Sequence, residues 1–223
     1  AKQKVKTQAL SDDQSGNQAA YGEKVSYLKG DQENIKLTSQ YDLTKFTQSS
    51  LKASAERALD NALRSGIGYD CHALQLTAQE QLISLAGVPF KAPYRLLAHS
   101  DGDVALHAVI DALLGAAALG DIGNHFPDHD PQYLNIASPI LLGKVLELIA
   151  ERGLIVSNID LTIICQRPKI APQQKLIITT LAKLLGIATE RVNVKATTSE
   201  KIGFIGREEG IAALAIANCL KLS

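Results

Sequence analysis

Methionine and tryptophan are absent from all 223 residues. A methionine-free chain that opens on Ala1 reads as a piece of a longer protein or as a sequence with modified residues left out. Aromatic residues are scarce, six Tyr and four Phe, so there is little surface on which single-stranded bases could stack. Charge of one sign is missing too: 23 basic side chains face 23 acidic ones, and no overall field draws the chain to nucleic acid or acidic lipid. Cysteine is limited to Cys71, Cys165 and Cys219, an odd and widely spaced set without a CxxC pair. That argues against a disulfide framework and for a reducing compartment. No apolar run reaches the roughly 18–20 residues that span a bilayer. The longest, residues 104–120, carries His107 and Asp111. No membrane span is expected, and no signal-peptide pattern opens the chain.

What is present suits a globular protein with one core, or one core and an appendage: 46% of residues are apolar and 21% charged. Composition changes near residue 64. Residues 1–50 are rich in Gln, Ser, Asp and Lys, with short β-like runs at 25–28 and 34–38. Residues 51–63, LKASAERALDNAL, predict a linker helix, and residues 64–223 carry the alternating apolar elements. There the pattern predicts strands at 65–69 and 81–88, then a helix over 103–120 capped by Ser100 or Asp101. A helix over 139–152 ended by Gly153 follows, then a strand at 158–165 and a helix over 173–185 ended by Gly186. A strand at 192–196 and a final helix over 210–220 complete the order β-β-α-α-β-α-β-α. The expected fold is α/β (α+β), a mixed sheet with helices packed on it.

All five histidines lie between His72 and His129. Asp70 and His72 are two apart on a strand and therefore share a face. Asp103, His107 and Asp111 are four apart on a helix and share another. One carboxylate and two imidazoles from two elements form a normal ligand set for a catalytic zinc with an open fourth position. Asp–His pairs on a surface helix are the competing explanation. A second feature, NVKATTSEKIGFIGREEG, places hydroxyls and a carboxylate, Glu200, after a strand, with Lys201 and Arg207 near glycines. Such a loop suits a hard divalent ion and phosphate oxygens, though it matches no known phosphate-loop pattern and also reads as a hydrophilic connection. Two apolar residues there, Phe204 and Ile205, have little local core to bury them. The segment CQRPKIAP (165–172) is a stiff strand-to-helix connection.

GIGYDCHAL, LLAHSDGDVALHAVIDALLGAAALGDIGNHFPDHDP, TIICQRPKIAP and NVKATTSEKIGFIGREEG occur in that order across residues 64–220. Together they resemble the signature segments of the 2-C-methyl-D-erythritol 2,4-cyclodiphosphate synthases. Residues 11–43, notably GDQENIKLT, are similar to the tail of the 2-C-methyl-D-erythritol 4-phosphate cytidylyltransferases, without that family's Gly-rich start. The chain thus looks like the C-terminal part of a bifunctional polypeptide. Cys71 and Ile205 depart from the family pattern, and the segment after Lys169 is about two residues short of it.

The resemblance implies a lyase of isoprenoid biosynthesis by the methylerythritol phosphate route. The 2-phosphate of 4-diphosphocytidyl-2-C-methyl-D-erythritol 2-phosphate attacks its own β-phosphorus and expels CMP. It implies zinc, or another divalent transition metal, on Asp70, His72 and His107, and magnesium or manganese on Glu200. His99 and Ser100 would contact the 2-phosphate, with His99 and Glu200 joining the ligands as catalytic residues. Asp121, Gly123, Phe126 and Asp128 would bind the erythritol end, and Asp111 would orient a ligand histidine. Cys165, Lys169, Ala196, Thr197 and Thr198 would form the cytidine and phosphate pocket. It further implies a homotrimer whose axial cavity accepts an isoprenoid diphosphate at Gly203, Phe204 and Arg207. The location implied is the bacterial cytoplasm, with a plastid-type organelle as the alternative, and neither nucleic acid nor membrane is a partner. From the residues alone, a zinc hydrolase using Asp121 or Asp103 as general base and a metal-stabilised binding module remain the other readings.

Overall fold

The computed structural model describes residues 39–60, 63–98, 100–127, 129–133 and 136–222. The expected strands at 25–28 and 34–38 lie outside them. The chain divides into two units after Ser49. In the first, the described residues belong to the start of helix α1 (Gln40–Asp60), which begins well before the predicted linker helix.

The second unit contains β1 (Arg64–Leu85), β2 (Val88–Leu97), α2 (Val104–Ala116), α3 (Ile122–His125) and α4 (Ser138–Glu151). It continues with β3 (Leu154–Ile164), α5 (Gln174–Leu185), β4 (Val192–Thr197), α6 (Gly203–Gly206) and β5 (Gly210–Lys221). The strands form one sheet in the order β2-β1-β5-β3-β4. β3 and β4 run parallel and the other pairs antiparallel, so the sheet is mixed, as expected. Helices α2, α4 and α5 pack on it.

Several predicted elements need correction: the strand expected at 65–69 runs on to Leu85. Residues 81–88 are not one strand but the end of β1, a two-residue turn and the start of β2. Both turn residues, Ala86 (φ 54°) and Gly87 (φ 77°), are left-handed, the geometry of a tight hairpin. Alanine is a poor residue for that conformation, so the local sequence conceals the turn. A distant acceptor holds it instead: the Asp103 carboxylate accepts the Ala86 and Gly87 N–H groups, each at 2.7 Å, and the Ser84 hydroxyl at 2.7 Å. Residues 210–220 are likewise a strand, not a helix. Their Ala/Leu content favours helix locally, but β5 lies between β1 and β3 and pairs along both edges.

Helix α2 carries the fold. Eleven of its residues are buried, and Leu106, Ile110, Leu113 and Leu114 are fully so, each contributing about 1.5–3 kcal/mol as an upper estimate. That burial explains an apolar run without a polar face: α2 is a core helix of 13 residues. Its N-cap is Asp103, not Ser100 or Asp101, and the carboxylate accepts from Leu106 N–H at 3.0 Å. It ends at Ala116, short of Gly120, because Ala118 turns left-handed (φ 54°).

α2 crosses β1 at two glycines. A Cβ on Gly66 would lie 2.1 Å from the Ala112 carbonyl oxygen, and one on Gly68 would lie 2.0 Å from that of Ala108. The helix backbone therefore rests directly on the strand, and the same face of β1 continues into Asp70 and His72. Ile205 is buried, contrary to expectation, whereas Phe204 is 41% exposed.

Gly68→Ala is expected to lower stability by about 2 kcal/mol or more through overpacking against rigid backbone, and to displace α2. Urea unfolding checks this. Asp103→Ala strands several buried donors at once and is expected to cost about 3 kcal/mol or more by the same measurement.

Candidate metal centre

The approach of α2 to β1 brings His107 against Asp70 and His72. The three offer ligand atoms that all lie within 4.8 Å of one another. His107 Nδ1 is 3.0 Å from Asp70 Oδ2 and 3.2 Å from His72 Nε2, and His72 Nε2 is 3.4 Å from Asp70 Oδ2. A tetrahedral zinc with ligand distances of about 2.0–2.1 Å has ligand–ligand edges of roughly 3.3–3.4 Å. The observed triangle approaches one face of such a tetrahedron.

Each ligand is held from behind. Asp70 Oδ1 accepts the Cys71 N–H at 2.8 Å. His72 Nδ1 sits 3.0 Å from the Cys71 carbonyl oxygen, to which it donates, so Nε2 presents its lone pair. His107 Nε2 faces the hydroxyls of Ser138 at 3.0 Å and Ser100 at 3.1 Å. Burial pulls His107 towards its neutral form, but the Asp70 hydrogen bond and the charges of Asp70, Asp103 and Asp101 outweigh it and raise its pKa. The site favours positive charge on or beside His107.

The cluster forms the polar end of a cavity of about 420 Å³. Ser100, Gly123 and Phe126 line it, as do Tyr133, Ile136 and Leu141. Sequence reasoning did not single out the last three. Phe126 and Tyr133 meet edge to face at 5.3 Å between ring centroids, with the Lys144 ammonium 5.2 Å from the Tyr133 ring centroid. Among the described residues that line it there is no lysine or arginine.

Other predicted residues fall elsewhere. His99 and Asp128 lie outside the described residues. Asp121 caps α3, accepting the Asn124 N–H at 2.9 Å. Asp111 makes no hydrogen bond to a ligand histidine; it accepts the Ile122 N–H at 2.8 Å and so ties α3 to α2. Burial raises its pKa, opposed by that N–H. Asp103 is fully buried and committed to the turn and the helix cap, which removes it as a general base.

The second group of predicted residues gathers at the ends of β3 and β4, apart from the residues that line this cavity. Cys165 follows β3 with its thiol in the core, and burial pushes the thiol pKa up to about 11. Lys169 lies in the connection to α5, while Ala196 and Thr197 end β4. The Thr198 hydroxyl donates to the Glu200 carboxylate at 2.8 Å, and Glu200 is left-handed (φ 50°). Glu200 stands outside the three-residue cluster. The 165–169 connection is braced where Tyr94 donates to the Arg167 carbonyl and Arg167 pairs with Glu208. Beyond α6, which starts at Gly203, Arg207 is paired with Glu209 at 2.9 Å.

The YgbB family model matches residues 63–220, nearly all of the second unit. This chain belongs to the YgbB family. It is 52% identical over 160 residues to the 2-C-methyl-D-erythritol 2,4-cyclodiphosphate synthase of Azotobacter vinelandii, covering 72% of this chain and 100% of that protein. It is 41% identical over 194 residues to the bifunctional enzyme IspD/IspF of Mesorhizobium japonicum. That match covers 87% of this chain and 46% of the bifunctional protein, so the chain spans about half the length of that relative. The IspF of Plasmodium falciparum, solved as a CDP complex, superposes with a TM-score of 0.64 at 33% identity, covering 73% of this chain and 99% of that one.

Asp70→Asn and His107→Ala are each expected to abolish stoichiometric zinc in this YgbB member while circular dichroism stays unchanged. Elemental analysis checks both.

Proposed function

We propose that the Asp70–His72–His107 cluster is the centre at which this enzyme, a 2-C-methyl-D-erythritol 2,4-cyclodiphosphate synthase of the non-mevalonate pathway, closes its cyclic product. The observation that carries the reading is the convergence of three lone-pair donors on one end of a cavity whose described lining holds no lysine or arginine. A polyanionic substrate enters such a cavity only if a cation offsets the acidic cluster. The donor set suits zinc, which when bound supplies a Lewis acid for the phosphoryl oxygens.

In the reaction, an oxygen of the substrate's 2-phosphate forms a bond to the β-phosphorus. The bridging bond to the α-phosphate breaks, and its electron pair leaves with CMP. The nucleophile is already anionic, so the chain needs to position rather than activate it. Ser100, with its hydroxyl at the cavity wall, is suited to hold the 2-phosphate, and His99 is assigned beside it by resemblance. Gly123 and Phe126 flank the erythritol end, joined by Asp121 and Asp128. Lys169, the backbone around Cys165 and Ala196, and the hydroxyls of Thr197 and Thr198 bind the cytidine and its phosphates. Glu200 offers a hard oxygen ligand for magnesium or manganese.

The separation of these two groups on one chain supports a homotrimer whose sites form between neighbours. One face of the sheet is apolar yet exposed: Ile67 and Ile216 pair across β1 and β5, and Tyr69 lies two residues along. Three such faces around an axis would cover this surface, leaving a cavity for an isoprenoid diphosphate near Gly203, Phe204 and Arg207. Residues 1–50 fit a cytidylyltransferase remnant, 51–63 a linker and 64–223 the synthase domain. No helix among the described residues is long and apolar enough to cross a membrane, and a cytoplasmic location fits this reading.

Incubation with the CDP-linked substrate, zinc and magnesium is expected to yield the cyclic diphosphate and CMP by phosphorus NMR. A hydrolysed diphosphate would mark a hydrolase instead. Asp70→Asn and Lys169→Ala variants, each inactive, are expected to regain about a quarter of wild-type activity after equal mixing and reassembly, since that share of interfaces carries both intact halves.

A further inference from the structure

The hydrogen bonds behind His107 run beyond the ligand set to a serine and an aspartate from distant parts of the chain. Ser138, the first residue of α4, is fully buried, and its Oγ lies 3.0 Å from His107 Nε2. The same hydroxyl donates to Asp101 Oδ1, while Asp101 Oδ2 accepts the Ser138 backbone N–H at 2.8 Å. A hydroxyl has one proton. Because Ser138 commits that proton to Asp101, its Oγ can only accept from His107. His107 must then carry a proton on Nε2, and its Nδ1, the edge that would ligate a metal, faces Asp70 and His72.

We propose that Ser138, oriented by Asp101, is a positioning residue that accepts the His107 Nε2 proton and fixes the ring with Nδ1 towards Asp70 and His72. This inference rests on the reading of Asp70, His72 and His107 as a metal site. It adds a link to the usual arrangement in which a carboxylate or carbonyl holds a ligand histidine directly. It also couples the ligand to the cavity wall. Helix α4 has no side-chain cap of its own at Ala137; Asp101 satisfies its first N–H from the segment before α2, and Leu141 of the same helix turn lines the cavity. Movement of α4 would therefore turn His107. Ser100 is the rival partner, 3.1 Å from the same nitrogen, but its Oγ also accepts the Gly102 N–H, at 3.2 Å, and it makes no hydrogen bond to a carboxylate among those seen.

Ser138→Ala removes the hydroxyl while keeping the backbone N–H that Asp101 caps, so α4 retains its start. Competition with a chelator is expected to show zinc bound about 10–100-fold more weakly than in the wild type, with an unchanged circular dichroism spectrum. Ser100→Ala is expected to change zinc affinity less than threefold by the same competition. Long-range proton–nitrogen spectra, with or without zinc, are expected to show a His107 Nε2 proton that exchanges with solvent more slowly in the wild type than in Ser138→Ala. Equal zinc affinity in Ser138→Ala and wild type, or equal exchange of the His107 Nε2 proton in the two, overturns the proposal. A wild type that binds no zinc overturns the metal-site reading itself, while exchange of the His107 Nε2 proton in the metal-free proteins still decides the role of Ser138.

Discussion

The approach of α2 to β1 is the constraint on which the rest of the molecule depends. A helix normally stands off a sheet by the length of its side chains, about 10 Å between axis and sheet. Here Gly66 and Gly68 remove those side chains from the strand, and the Ala108 and Ala112 carbonyls occupy the space. Further along the same face, Asp70 and His72 need a partner at hydrogen-bonding range, and the lowered helix delivers His107 there at 3.0 Å. Small residues on the adjacent strand serve the same end: Ala213, Ala215 and Ala217 of β5 are fully buried, on the sheet that α2 covers. The candidate metal centre is thus a consequence of the close packing beside it.

Asp103 stabilises that arrangement from the other side. Its carboxylate is fully buried, with three backbone N–H groups and one hydroxyl as partners. Burial of a charge is tolerated only with such complete satisfaction. One side chain therefore caps α2 and closes the β1–β2 hairpin. Ser100 and Asp101, immediately upstream, are held in the same segment and turn towards His107 and Ser138. Rigidity is gained where ligand geometry needs it.

Carboxylates dominate the surroundings of His107: Asp70, Asp101 and Asp103 all raise its pKa. This acidic field is poorly suited to phosphate by itself and well suited to a divalent cation. The phosphate chemistry of the family and the acidic site are reconciled by the ion that the three ligands can hold. The exposed apolar face of the sheet, with Ile67, Tyr69 and Ile216, is the surface that the proposed assembly would cover.

Much of this was legible in the residues. Periodicity placed α4, α5, β3 and β4 to within a few residues, and the two-residue spacing of Asp70 and His72 with a helical His107 pointed to the cluster that the fold brings together. The family motifs carried the reaction. Local preference misled where tertiary acceptors or neighbours prevailed: the Ala86–Gly87 turn depends on Asp103, and the Ala-rich segment 210–221 becomes a strand because β1 and β3 pair along both its edges. Gly66 and Gly68 were visible as part of GxGxDxH, but period two says only that they share a face, not that a helix backbone will rest on it. Asp111, which the resemblance set beside a ligand histidine, instead ties down α3. The sequence by itself determined the ligand types, the family and most elements, because these depend on residue identity and short-range period. Only the tertiary structure decided that Ser138 meets His107 across 31 residues, because no local rule relates the start of one helix to the first turn of another.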